Sequence, residues 1–517
     1  MARTALVVGA GAGGLTAALR LLRNGWQVTV LEKNARPGGR LGRMEGKGYS
    51  FDLGPTIVLM PDVFERLFAD LGRDLRDYLD MQLLDPNYRL NFADGSHLDS
   101  TSHLQKMLTE LDRFAPGEAA GYMRYLSDLY RRYRIARYDF IEQPMLSMRE
   151  LFDLRKVVKL LKLRTLGPMY ADIGRFIRDE RLKLALTFQS LYIGIDPYQA
   201  PAIYNVIGFM EVSYSGVWYC KGGYHAVTDA LCKVLEEMGG ALRTHAEVAE
   251  VVCEGGRATG VRLASGEVLL ADAVIVNADV AQAATKLLPD VARREFPEAK
   301  MARQEQSCSA FMMYLGVKRK YPQAHVHNVF FSRNFRRNVD QIFHHRDIPE
   351  DPSFYVHVPS SIDPAVAPVG CEAVYVLVPV PNLSAGIDWE TGKKVLRERV
   401  LNRLEQEGFA GIKDEIEFEA VFTPVAWQTQ FALRDGSAFG VMPKLLQSAY
   451  WRPSLKSRSL AGLYFVGAST HPGGGIPIVM TGARTLEGIM ARDYPLDFPA
   501  VSGLLDIRAS EAVADAL

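Results

Sequence analysis

Two hydrophobic rhythms alternate along the chain. Short apolar runs at 5–8, 273–276 and 463–466, and the β-rich stretch Gln27 to Leu31, are each stopped by glycine or a polar residue, and such runs predict strands buried in an α/β sheet. Stripes at helical spacing lie between them. Phe64, Leu67, Phe68 and Leu71 recur on one face behind Pro61, so 61–71 is predicted to be a helix facing the core. A second stripe covers 226–238 and stops at Gly239-Gly240. Strands alternate with turns at 246–253, 258–263 and 267–270, with Gly255-Gly256 and Ser265-Gly266 as hairpin turns. Runs at 310–317, 354–358 and 373–378 predict a further sheet. From about 85 to 215 the glycine turns disappear and the pattern becomes helical, rich in aromatic residues and Arg.

This order divides the chain. At 517 residues it exceeds what one core serves. One discontinuous domain is expected from 1–84, 216–300 and 424–495, and a second, mixed α+β, from 85–215 and 301–423, leaving 496–517 as a tail. The fold class is α/β.

Composition narrows the partners. Lys+Arg 60 against Asp+Glu 60 gives no net charge, which excludes the basic excess of a nucleic-acid binder. Hydrophobic content of 48% describes a globular chain. Cys220, Cys232, Cys253, Cys308 and Cys371 show no C-x-x-C spacing, so neither a metal nor a disulfide framework is expected, and a reducing cytoplasm suits them. The histidines His325, His327, His344, His345 and His357 lack a ligand spacing with a carboxylate, and no metal is expected from them. No signal peptide and no apolar stretch of about 20 residues is evident. Residues 151–164 mix apolar side chains with Arg155, Lys156, Lys159, Lys162 and Arg164, the composition either of a basic amphipathic helix that lies in a membrane surface or of a half-buried helix with a solvated basic face.

The chemistry concentrates at 4–33. Gly9, Gly11 and Gly14 form G-x-G-x-x-G between the first strand and a helix. Gly9 makes the tight turn, Gly11 admits a pyrophosphate to the backbone, and Gly14 lets the helix close on the sheet. Glu32 ends the second strand, followed by Lys33, where a carboxylate accepts from ribose hydroxyls. This is a Rossmann-like dinucleotide cradle. NAD and FAD both fit it so far. Arg36-Pro37-Gly38-Gly39-Arg40 follows at once, with paired glycines for close backbone approach and a fixed cation for a diphosphate.

Together with 51–56, FDLGPT, that segment resembles the large flavoprotein family of amine oxidases and carotenoid desaturases. Near the other end, 465–477 reads FVGASTHPGGGIP. This loop resembles the C-terminal flavin segment of bacterial carotenoid desaturases of the phytoene desaturase type. All the motifs stand in the family's order, and the likeness covers nearly the whole chain. It implies an FAD-binding domain interleaved with the substrate and membrane-association domain. It implies cofactor contacts at Gly9, Gly11, Gly14, Glu32, Lys33, Gly39, Arg40, Gly54, Pro55, Thr56, Val248, Asp279, Gly467, Ala468, Gly475, Ile476 and Val479. For Asn277 and Asp279, capping of the next helix is an equal reading.

The implied reaction is desaturation of a long polyene, with hydride passing to FAD and a proton lost. Arg149 and Glu150 match a polar pair of the family and are candidates for handling that proton. The implied partners are the apolar polyene, a membrane surface contacted peripherally from the cytoplasm, and an electron acceptor such as quinone or oxygen. The flavin motifs do not separate a desaturase from a sibling carotenoid oxidase or isomerase, or from a desaturase of later intermediates. A lipid-binding escort protein without flavin is a more distant alternative, and the oligomeric state is open.

Overall fold

The computed structural model describes residues 2–144, 158–160 and 162–498. Arg149, Glu150 and most of the basic segment 151–164 lie outside the described residues.

The four short runs do form one sheet. Thr4–Val8 sits at its centre, with Ala273–Val276 and Leu463–Phe465 on one side and Gln27–Leu31 and Ala241–Arg243 on the other, all parallel. Parallel strands need crossovers, and the helices that supply them cover the sheet. Helices Ala12–Arg23, Ala226–Glu237 and Ile476–Asp493 share one core with the sheet, through side chains such as Leu15, Leu231 and Met480. The first and last of these helices are joined at depth, where Arg20 Nη1 meets Glu487 Oε2 at 2.8 Å and Asn24 Nδ2 donates to Glu487 Oε1 at 2.8 Å. Helix Pro61–Asp70 buries Phe64, Leu67 and Phe68, as its stripe requires. Val248–Glu254, Arg257–Leu263 and Val268–Leu270 form a separate antiparallel sheet.

A second sheet of seven strands runs Ile416–Phe422, Ser309–Val317, Glu372–Val380, Phe354–His357, His327–Phe330, Tyr88–Asn91 and His97–Ser100. Its period-two alternation separates two faces. Phe311, Met313 and Val376 pack with Leu396 and Val400 of helix Trp389–Gln406, whereas Met312, Tyr314 and Tyr375 turn the other way. The last two strands correct the helical expectation for 85–215. Tyr88-Arg89-Leu90-Asn91 and His97-Leu98-Asp99-Ser100 each alternate buried and half-buried positions around a turn at Asp94-Gly95. Four residues carry too little periodicity to stand out beside the long helices that follow, Leu104–Phe114 and Ala119–Ile135. Pairing of Tyr88–Asn91 with the distant strand His327–Phe330 on one side, and of His97–Ser100 with Tyr88–Asn91 on the other, decides their conformation.

Candidate functional site

The site begins at the first glycine turn. Gly9 has φ +100°, and a Cβ there would stand 2.8 Å from the Asn277 carbonyl oxygen. A Cβ on Gly14 would stand 2.1 Å from the Gly9 carbonyl oxygen. The Gly38 N–H donates to the Ala10 carbonyl at 2.9 Å, which lays the Gly38-Gly39-Arg40 loop directly on the first turn. A Cβ on Gly39 would meet only Gly11 Cα, at 3.9 Å, so the space between the two loops is open. Glu32 is buried at the end of its strand. Its carboxylate accepts from the Ala10 N–H at 2.9 Å and the Asn34 N–H at 3.0 Å, which holds the group still while leaving lone pairs for hydroxyl donors. Lys33 beside it is exposed. The Ala246 N–H donates to the Glu32 carbonyl at 2.8 Å, bringing Val248, at the start of its strand, close to the same corner.

Asn277 ties the two chain ends of the site together. Its Nδ2 donates to the Gly9 carbonyl at 3.1 Å, and its Oδ1 lies 2.9 Å from where a Gly467 Cβ would be. The sequence pattern showed this residue as a polar strand end, facing a ligand or capping the next helix. Asp279 caps helix Val280–Lys286 by accepting from the Ala281 and Gln282 N–H groups at 3.1 and 3.2 Å. Burial raises its pKa, with those N–H groups and Arg40 acting in the opposite direction.

The remaining predicted residues converge on a cavity of about 830 Å³ between the two sheets. Arg40, Gly54, Pro55, Thr56, Ala468, Gly475, Ile476 and Val479 all line it. The C-terminal helix starts at Ile476, with Pro477 in its first turn, so its free N–H groups face this space. From the seven-stranded sheet, Met312, Tyr355, Tyr375 and Leu377 form the facing wall. Tyr375 donates its hydroxyl to the Gly54 carbonyl at 2.6 Å, and the Thr56 and Tyr355 hydroxyls meet at 2.7 Å. These contacts fasten the FDLGPT segment to the seven-stranded sheet.

Two cations in the wall have no carboxylate partner among the described residues. Arg40 Nη1 donates to the Ala438 carbonyl at 3.2 Å and Arg452 Nη1 to the Ala468 carbonyl at 2.7 Å. Burial pushes both guanidinium pKa values down, opposed at Arg40 by Asp279 and at Arg452 by Tyr204. An anion beside them relieves that cost. The glycines at 473–475 leave room for it: a Cβ on Gly474 would meet nothing nearer than Ala468 Cβ at 3.8 Å. The residues present therefore fit FAD: open glycine loops, a fixed carboxylate at the adenosine end, and unpaired arginines with a helix start at the other. Arg452 was not apparent in the sequence, because no motif surrounds it.

The cavity wall is apolar over most of its extent, and no Asp, Glu or Lys lines it among the described residues. At its mouth stand Leu166, Leu446 and Trp451, which are 83%, 69% and 36% exposed. No helix among the described residues is long and apolar enough to cross a membrane.

A profile for flavin containing amine oxidoreductases matches residues 12–484. A zeta-carotene-forming phytoene desaturase of Myxococcus xanthus is 42% identical over 483 residues, covering 93% of this chain and 92% of the relative. A 4,4'-diapophytoene desaturase (4,4'-diaponeurosporene-forming) of Staphylococcus haemolyticus is 38% identical over 495 residues, covering 94% and 98%. Among solved structures, an oxidoreductase from Methanosarcina mazei superposes with a TM-score of 0.59 at 18% identity, covering 93% of this chain and 99% of that one. A redesigned putrescine oxidase gives 0.60 at 15% identity, covering 95% and 99%. These two establish the fold alone.

Proposed function

The chain belongs to the flavin-containing amine oxidoreductase family, and from that premise we propose that it desaturates a long polyene of the phytoene or diapophytoene kind in carotenoid biosynthesis. It is an FAD-dependent oxidoreductase. The observation that carries the substrate is the cavity. It runs from the flavin loops to a mouth of exposed apolar side chains and offers no carboxylate for an amine among its described lining residues. A polyene has no polar handle, so length and shape must select it.

Bound flavin supplies the hydride acceptor. The chain's own residues hold the diphosphate at Arg40 and Arg452, hold the ribose at Glu32, and place the polyene against the wall of Met312, Tyr355 and Leu377. The other cofactor contacts named from the sequence, including Val248 and Asp279, are part of this proposal, as is the division into a flavin domain and a substrate domain. So are peripheral attachment to a membrane through the mouth, a cytoplasmic location, and quinone or oxygen as final acceptor. A mouth rimmed by Leu166, Leu446 and Trp451 suits extraction of an insoluble substrate from lipid.

The test is to incubate FAD-loaded protein with phytoene in liposomes and weigh the products. The expected product is coloured and lighter by two hydrogens for each new double bond. A product of unchanged mass makes the protein an isomerase, and one that gains oxygen makes it an oxidase.

A further inference from the structure

A seam of buried polar groups runs beneath the apolar cavity, and both its ends open on the cavity wall. At one end Thr56 meets Tyr355, whose hydroxyl continues to His327 Nδ1 at 2.6 Å. The His327 ring lies beside Tyr88, with centroids 5.6 Å apart. Tyr88 donates to Glu211 Oε1 at 3.0 Å, Gln189 Nε2 donates to Glu211 Oε2 at 2.9 Å, and Tyr192 also donates to Oε1. Tyr192 returns the seam to the cavity wall. A π-helical turn over Met210–Tyr214 follows helix Asn205–Phe209 and sets Glu211 in this place. Such turns interrupt helices at functional sites more often than elsewhere.

Glu211 is fully buried, and no positive charge among the described residues acts on it. An ionised carboxylate without a cation is costly at that depth. Burial raises its pKa to about 7, opposed by the hydrogen bonds from Tyr192, Gln189 and Tyr88. The titratable groups facing it are Tyr88 from its strand and Tyr192 from helix Gln189–Tyr192, with Tyr355 and His327 beyond Tyr88. Burial raises the pKa of both Tyr88 and Tyr192 well above normal and lowers that of His327. The two phenols therefore keep their protons and His327 stays neutral. A carboxyl poised near neutrality can take up a proton and release it.

We infer that Tyr192 and Glu211 together accept the proton that leaves the substrate carbon, Tyr192 touching the polyene and Glu211 acting through it. The inference rests on the desaturation reading. The C–H bond breaks and its electron pair becomes the new π bond, while the neighbouring carbon gives up hydride to the bound oxidant. The proton goes to Tyr192 Oη as the phenolic proton passes to Glu211 Oε1. Charge balances, because Glu211 turns from carboxylate to carboxylic acid. A purely structural role has its own support: Asn87 Nδ2 donates to the Glu211 backbone carbonyl at 2.8 Å. That bond survives any change of the side chain.

The experiment is anaerobic single-turnover reduction of the flavin by phytoene in vesicles, followed from pH 6 to 9. The parent rate should rise with pH through about 7, as Glu211 becomes the carboxylate that accepts. Tyr192→Phe and Glu211→Gln should slow it at least about 100-fold at pH 8 and flatten that rise, with flavin content kept. Tyr88→Phe removes one donor to the carboxylate and should move the midpoint to higher pH. A readout free of turnover accompanies it: an infrared band of a protonated carboxyl should vanish across the same pH range in the FAD-loaded parent and be absent from Glu211→Gln. Parental rates and pH profile in Tyr192→Phe overturn the inference alone, as does an unshifted profile in Tyr88→Phe. A parent whose flavin never responds to phytoene overturns the desaturation reading, and the inference falls with it.

Discussion

The flavin cradle and the polar seam under the cavity are built in opposite ways. The cradle is made by glycines whose neighbours are fixed backbone: Gly9 and Asn277, Gly14 and Gly9, Gly38 and Leu41 each stand too close for a Cβ. Steric exclusion of that kind forces one residue type at one spacing, so it appears as a motif. The seam is made by side chains from a strand at 88–91, a helix at 189–192, a π turn at 210–214 and strands at 327–330 and 354–357. Only the assembled fold brings these together. Any Tyr, Glu or His can occupy such places, so the seam has no local pattern.

That contrast can be broken where it is strongest. Gly14→Ala puts a methyl into the Gly9 carbonyl, where backbone opposes backbone. The expected cost is on the order of 3 kcal/mol, seen as lost flavin and a lower melting temperature. Gly474→Ala faces open space instead. It should leave the melting of the flavin-free protein unchanged and weaken flavin binding. Equal melting of the two flavin-free variants would remove the distinction between a glycine needed by the fold and one needed by the ligand.

The seam answers to pH rather than to sterics. Glu211 has a folded pKa of about 7 against an ordinary 4.5, so the native state binds the extra proton between those values. Its stabilising contribution is complete below about 4.5, declines as pH rises, and is gone above about 7. The difference is on the order of 3 kcal/mol. Glu211→Gln should remove that part of the pH dependence in denaturant melts at pH 5 and pH 8.5. An unchanged slope would mean that the carboxyl titrates normally.

Arg452 lies between the two kinds of region, since it lines the cavity beside the C-terminal glycine loop but carries no motif. Arg452→Met deletes one charge-assisted hydrogen bond, worth about 1.5–3 kcal/mol, so the FAD dissociation constant should rise about 10- to 100-fold, measured by fluorescence titration. The smallest expected effect is on the basic segment, whose Leu163, with Leu166 just after it, lines the cavity. Lys162→Glu should weaken binding to anionic liposomes, each lost Lys removing about 1 kcal/mol. Lys159 is a poorer probe because it pairs with Asp139 at 2.6 Å. Unchanged sedimentation with liposomes would move the membrane contact elsewhere.

Legibility followed the same division. Four strands of the parallel sheet, the helix at 61–70 and the glycine loops were readable because glycine-stopped apolar runs, helical stripes and forced glycines are local properties. Strands 88–91 and 97–100 were not, since four-residue alternations are weak signals and the pair joins its sheet only through the contact of 88–91 with a strand more than 200 residues away. In the site, Gly38 and Arg40 could be named, and the reason for Gly38 came only from its contact with the first turn. Asn277 looked like a strand end and proved to touch Gly9 and Gly467 at once. Arg452, Tyr192 and Glu211 had no periodicity or spacing to mark them.

The central claim, that a flavin held by this cradle oxidises a polyene in this cavity, is tested most directly by mixing FAD-loaded protein with phytoene in vesicles without oxygen. The flavin and product absorbances would be followed together. The account predicts that the flavin band bleaches as the conjugated product appears, one flavin for each double bond formed. Coloured product with an unbleached flavin would contradict it.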